Sequence, residues 1–164
     1  MKIGIRMGIL FIIYILMAAC EDQLIRDESI SGPSLASEML EAVNHLRSEG
    51  CYCGSKWMGP VASLSWNDKL ERAATRHVID MERNDFFSHT GSDGSSSAQR
   101  VNDSGYRWRA VGENIAWGYS SVQKVVVGWK NSPGHCRNIM DPGYTEMGAA
   151  HYQSYWAQTL ASPR

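Results

Sequence analysis

Residues 109–118, Arg109-Ala110-Val111-Gly112-Glu113-Asn114-Ile115-Ala116-Trp117-Gly118, set Val, Ile and Trp between glycines and carry a Glu-Asn pair at their centre. β-Branched and aromatic residues bounded by glycine predict a short strand or extended segment. Towards the C-terminus, Val122, Val125, Val126 and Trp129 recur at helical spacing behind Ser120 and Gln123, which have capping-box spacing. Pro133-Gly134 is read as the stop of that helix. Two β-rich runs, Tyr144 to Tyr152 and Tyr155 to Ala161, are close enough in sequence to pair antiparallel. Towards the N-terminus, Ser34 caps a helix to about Ser48, with Leu35, Met39, Val43 and Leu46 on one face and Gly50 as its stop. Ser65 is the expected cap of a second helix, whose stripe of Leu70, Ala73, Ala74, His77 and Met81 ends near Asn84. On that apolar face His77 is expected to be a hydrogen-bonded core residue. A Gly/Ser-rich loop, Gly91 to Ser97, leads into a short helix ending near Gly105. Helices separated by extended segments and closed by a hairpin predict one mixed α/β sandwich over residues 34–164.

Composition sets the outer bounds. The chain has 164 residues, 43% hydrophobic and 20% charged, which suits one globular domain and excludes disorder and coiled coil. Sixteen basic against 17 acidic side chains give a net charge of −1, leaving no positive field with which to neutralise phosphates. Nucleic acid is therefore not an expected partner.

Before the domain, Lys2 and Arg6 precede an apolar run from Met7 to Ala19. As a helix this run would span only about 20 Å, too short to cross a bilayer comfortably, so residues 1–19 are expected to be a secretory signal. Leu16-Met17-Ala18-Ala19-Cys20 resembles a bacterial lipobox, which implies acylation of Cys20 with palmitate-type chains and attachment to a membrane. A plain signal cut after Ala19, leaving a free cysteine, is the alternative. Residues 20–33, of mixed charge with Ser and Gly, are expected to tether the domain. The expected location is the cell envelope, with the domain facing a non-cytoplasmic compartment.

With Cys20 assigned to lipid, Cys51, Cys53 and Cys136 remain. Export favours disulfides, and joining either Cys51 or Cys53 to Cys136 closes a loop of more than 80 residues, worth roughly 4 kcal/mol in the chain-entropy model. Cys51-Tyr52-Cys53 is spaced CxC rather than CxxC, and no second pair completes a zinc set, so metal is not expected at these thiols.

The candidate site residues are His89 in Phe87-Ser88-His89-Thr90, Glu113 in Gly112-Glu113-Asn114, and His135 in Ser132-Pro133-Gly134-His135. Two imidazoles and a carboxylate suit a metal or an acid–base pair. Spacing alone does not bring them together. Asn114 and Asn138 are expected to satisfy buried backbone groups, and Glu146 to be an ion-pair or hydrogen-bond partner. A Ser132–His135 nucleophile pair lacks a Gly-x-Ser-x-Gly elbow and an oxyanion hole.

The collinear order of these pieces resembles the CAP superfamily (cysteine-rich secretory, antigen 5 and pathogenesis-related 1 proteins), in its bacterial, SCP-like branch. The pieces are Asn44-x-x-Arg47, Leu64-Ser65-Trp66, Ala73-Ala74 to His77, Phe87-Ser88-His89-Thr90, Gly112-Glu113-Asn114-Ile115-Ala116, Trp129 with Ser132-Pro133-Gly134-His135, Asn138-Ile139-Met140, Thr145-Glu146-Met147-Gly148 and Tyr155-Trp156-Ala157-Gln158. The resemblance implies an α+β fold, a three-layer α-β-α sandwich on a mostly antiparallel sheet. It also implies a cleft lined by His89, Glu113 and His135. Many eukaryotic members place a second glutamate where Ser132 stands, so Ser132 is counted with the cleft. Members variously bind zinc through the two histidines, or sterols or fatty acids, and a few act as candidate proteases. The implied disulfide is Cys53–Cys136. Together these expectations describe a domain that binds a small ligand, lipid or envelope component. No cofactor is required, and zinc at His89 and His135 is conditional. The alternative is a metal-assisted or Glu/His acid–base hydrolase acting on peptide or envelope polymer.

Overall fold

The computed structural model describes residues 34–164. The expected signal segment 1–19, Cys20 and the tether up to residue 33 lie outside the described residues. Ser34 caps α1 (Leu35–Glu49) by accepting from the Ser37 amide, and Gly50, at φ 72°, ends it in a conformation that favours glycine. Then come β1 (Cys51–Cys53), β2 (Lys56–Met58), β3 (Ser65–Trp66), α2 (Asp68–Arg83), α3 (Ser97–Asp103) and β4 (Trp108–Trp117). α4 (Val122–Asn131), α5 (Pro133–Ile139), β5 (Glu146–Tyr152) and β6 (Tyr155–Pro163) complete the order.

Strands β3, β5, β6 and β4 lie side by side in that order. The β5–β6 and β4–β6 pairs are antiparallel and only the short β3–β5 pair is parallel. β1 and β2 form a separate antiparallel hairpin. Because side chains alternate across a strand, the sheet feeds two cores. Ala116, Met147, Ala149, Trp156 and Leu160 pack with Met39 and Val43 of α1, Val125 and Trp129 of α4 and Ile139 of α5. Ile115, Ala150 and Ala157 pack on the opposite face with Ala74, Val78 and Met81 of α2. The architecture is the expected α+β sandwich.

Four local expectations are corrected. Ser65 does not cap α2: Asn67 does, accepting from the Lys69 amide, while Ser65 and Trp66 pair with Glu146 and Met147 of β5. The cap of α4 is Ser121, not Ser120, and it accepts from the Lys124 amide. Pro133 is not only a stop, since it occupies the first turn of α5, where a missing N–H costs nothing. The β1–β2 hairpin, turning at Gly54 with φ 68°, was not expected.

Candidate functional site

β4 lies at the edge of the sheet, so residues from both helical layers reach it. Glu113, on the face shared with Ile115, is turned towards α2 and is almost fully buried. Its Oε1 accepts from His89 Nδ1 at 2.8 Å, and its Oε2 accepts from Arg100 Nη2 at 2.7 Å. Arg100, from α3, also donates to the carbonyls of Ser95 and His89, at 2.8 and 3.0 Å, so it fixes the loop carrying His89 at both ends. His77 Nε2 donates to the Ser88 carbonyl at 2.8 Å and lies 3.8 Å from Glu113 Oε1, too far for a hydrogen bond.

The electrostatics follow from this packing. Burial pushes the Glu113 carboxyl up, but the hydrogen bond from His89 and the charge of Arg100 outweigh it, so Glu113 titrates below the usual carboxylate range. Glu113 is therefore ionised and His89 must donate at Nδ1. His89 Nε2 is left without a partner among the described residues, on a side chain that is 57% exposed. Burial holds His77 below the ordinary histidine range, so its contact with Glu113 is not an ion pair at neutral pH. Burial and then the charge of His89 lower His135 as well, so it is a neutral imidazole at pH 7.

α5 is tied to β4 by amides. Asn138 donates to the Glu113 carbonyl at 3.2 Å and to Asn114 Oδ1 at 2.9 Å. Asn114 donates to the His135 carbonyl at 3.2 Å and to Gln158 Oε1 at 2.9 Å. Both asparagines thus serve backbone groups, and Glu146 is bonded by Tyr106 Oη and Asn67. The structure joins His89 to Glu113 directly; His135 is tied to β4 through its carbonyl, and among the described residues no hydrogen bond joins its ring to His89 or Glu113. Ser132 is the half-buried residue preceding α5, without a side-chain cap bond, and no contact joins its hydroxyl to His89 or Glu113. Sequence reasoning missed Arg100. A lone arginine in a short polar helix resembles a solvated face, and only its partner on β4 reveals its role.

Two further regions bear on the chemistry. A groove of about 1060 Å³ runs between α1, α4 and the β1–β2 hairpin, lined by Leu46, Cys51, Tyr52, Trp57, Val126 and Lys130 among others, and it contains neither His89 nor Glu113. Cys53 and Cys136 form a disulfide, with Cα atoms 5.4 Å apart, while Cys51 is a buried free thiol. Among the described residues, these three sulfurs make the one cluster of three or more candidate metal ligands. His89, Glu113 and His135 do not form such a three-ligand cluster.

The model of the family described as "CAP: Cysteine-rich secretory protein family" matches residues 40–159. The "Uncharacterized membrane protein YlbC" of Bacillus subtilis is 32% identical over 100 residues, covering 61% of this chain and 29% of that protein. Among solved structures, an extracellular protein containing a SCP domain from Bacillus anthracis aligns with TM-score 0.70 and 24% identity, over 80% of this chain and 45% of the other. An outer surface protein from Borrelia burgdorferi aligns with TM-score 0.63 and 21% identity, over 79% and 90% respectively. The match to YlbC thus spans less than a third of that relative. Among the described residues, no helix is long and apolar enough to cross a membrane.

Proposed function

We propose that this chain, which belongs to the cysteine-rich secretory protein (CAP) family, is an exported, lipid-anchored domain that binds an envelope or extracellular ligand at the His89–Glu113 surface. One observation carries the reading: a buried carboxylate fixes His89 through Nδ1 and leaves its exposed Nε2 unengaged. A carboxylate behind a histidine is the arrangement that sets the tautomer of a metal-binding imidazole. Arg100 in turn fixes the carboxylate, so the ring is oriented before any ligand arrives.

A zinc ion would take His89 and His135 as its protein ligands, with Glu113 behind His89. Bound zinc would supply a Lewis-acid centre with positions open to water or an exogenous carboxylate. Two protein ligands predict modest affinity, falling as the histidines protonate. Calorimetry at pH 7.5 should show zinc binding to the wild type and its loss in both His89→Ala and His135→Ala. Unchanged binding in both variants, or none to the wild type at millimolar zinc, contradicts the metal-binding part of the reading.

Binding is put first: among the described residues no hydroxyl or thiol contacts His89 Nε2, which removes a Ser or Cys nucleophile, and a hydrolase here would use water instead. A histidine–carboxylate pair without a nucleophile, a cofactor motif or an oxyanion hole specifies no reaction. A hydrolase screen on peptides and envelope polymer discriminates: turnover that disappears in His89→Ala would establish the enzyme instead.

Anchoring rests on the lipobox-like residues Leu16 to Cys20. Wild-type protein should partition into detergent and Cys20→Ser should become soluble or remain unprocessed. Equal partitioning of the two contradicts lipidation.

A further inference from the structure

Cys51 and Cys53 are alternate residues of β1, so both side chains leave the same inward face of the hairpin. They meet Cys136, which is wholly buried on α5. Cys136 is bonded to Cys53, yet the Cys51 sulfur lies 3.5 Å from the Cys136 sulfur, and the three sulfurs all lie within 4.8 Å of one another. A single structural bridge needs two cysteines. Here a third thiol is in contact with the bond.

We propose that Cys51, Cys53 and Cys136 form a thiol–disulfide exchange site in which the bridge migrates between Cys53–Cys136 and Cys51–Cys136. The Cys51 thiolate attacks Cys136 Sγ, a Cys51–Cys136 bond forms as the Cys53–Cys136 bond breaks, and Cys53 leaves as a thiolate. The proton lost by Cys51 is balanced by the one Cys53 gains, and no oxidant or reductant is consumed. The two bridges close loops of nearly equal length, 85 and 83 residues in sequence separation, so chain entropy does not choose between them. Local packing does.

The exchange takes place in the wall of the groove, which Cys51 lines and Cys53 does not. Cys51 is buried with its side chain turned inward, so either bridge forms behind that wall. Burial pushes the Cys51 thiol up and the ammonium of Lys130, on α4, partly offsets that; His45 and Glu49 of α1 line the same groove. The three sulfurs form a bent array, so the exchange includes rotation of the Cys51 side chain towards a line with the bridge. Both features slow the exchange without altering its balance.

The test uses the full chain carrying Cys20→Ser, so that no other thiol competes. Protein held at pH 8.5 without denaturant, oxidant or reductant is acid-quenched, blocked with N-ethylmaleimide, digested with pepsin and sequenced by mass spectrometry. We expect both bridges, with the Cys51–Cys136 form in a fraction on the order of a tenth or more: loop entropy favours neither, and the Cys51 sulfur already touches Cys136, so little repacking is needed. Maleimide should then be found on Cys53 in that fraction. A parallel Cys53→Ser sample should form Cys51–Cys136, which shows that the second bridge is sterically open. Pepsin digestion at acid pH keeps thiols protonated, so the bridges do not scramble. Native Cys20→Ser protein that keeps Cys53–Cys136 alone after a day, or that forms Cys51–Cys53 instead, overturns the proposal.

Discussion

Arg47→Met will cost about 4 kcal/mol of stability and lower the melting temperature by about 10 °C. Arg47 is completely buried. Its Nε donates to the Ala62 carbonyl at 2.7 Å, and its Nη1 donates to the carbonyls of Ile139 and Asp141 at 2.6 and 3.0 Å. Those carbonyls belong to the connection before β3 and to the end of α5 with the turn beyond it, so one guanidinium holds two distant pieces of chain around α1. Methionine keeps much of the volume and provides no donor. The loss therefore measures stranded carbonyls rather than a cavity, at roughly 1–3 kcal/mol for each left unsatisfied. Urea denaturation followed by circular dichroism reads it directly. A loss under about 1 kcal/mol would show that water replaces the guanidinium.

Glu113→Ala will cost a similar amount, about 3–5 kcal/mol, because it strands the guanidinium of Arg100, which is 2% exposed and has no other anion in contact among the described residues. Glu113→Gln preserves shape and separates charge from packing, and its effect is seen in the pH dependence. The folded-state titration of Glu113 lies below its ordinary value of 4.5. The contribution of its charge is therefore complete above about 4.5 and is lost as pH falls through the lower folded value. Glu113→Gln should flatten that acid limb. His77 and His135 are also depressed from 6.5, so the unfolded chain takes up protons below that pH that the folded chain refuses. Stability accordingly declines below about pH 6.5 as well, and this upper limb should persist in Glu113→Gln. Chemical denaturation between pH 3 and pH 8 resolves the two limbs. An unchanged acid limb in Glu113→Gln would remove Glu113 as its cause.

Elements with strong local signals were legible from sequence. The 3.6-residue stripes of α1 and α2 and the valines and tryptophan of α4 are local patterns, and the closing hairpin needs only neighbouring strands. The misread elements depend on distant partners. Ser65-Trp66 resembles a helix cap in isolation and becomes a strand because Glu146-Met147, about 80 residues later, offers it a parallel edge. Pro133 carries the chemistry of a helix start and a helix stop alike, and only the chain after it decides which. At the site, His89, Glu113 and His135 could be nominated from ordered motifs, but not their grouping. Arg100 could not be nominated at all, since nothing near it in sequence indicates a carboxylate waiting on β4. His77 is the core histidine expected, hydrogen-bonded at Nε2, yet its Nδ1 has no partner among the described residues and Glu113 is its neighbour. The Asn114–Asn138–Gln158 amides extend the same lesson: their identities hint at buried hydrogen bonding, while the joining of α5 to β4 and β6 is visible only in three dimensions.

The central claim is that Glu113 holds His89 with Nε2 free to receive a ligand. The direct measurement is the imidazole ¹⁵N spectrum at pH 7.5 as zinc is added. The account predicts that His89 is protonated at Nδ1 before addition, and that zinc shifts the Nε2 resonance of His89 together with a ring nitrogen of His135. A proton on Nε2 of His89 in the free protein, with neither histidine responding to zinc, would contradict it.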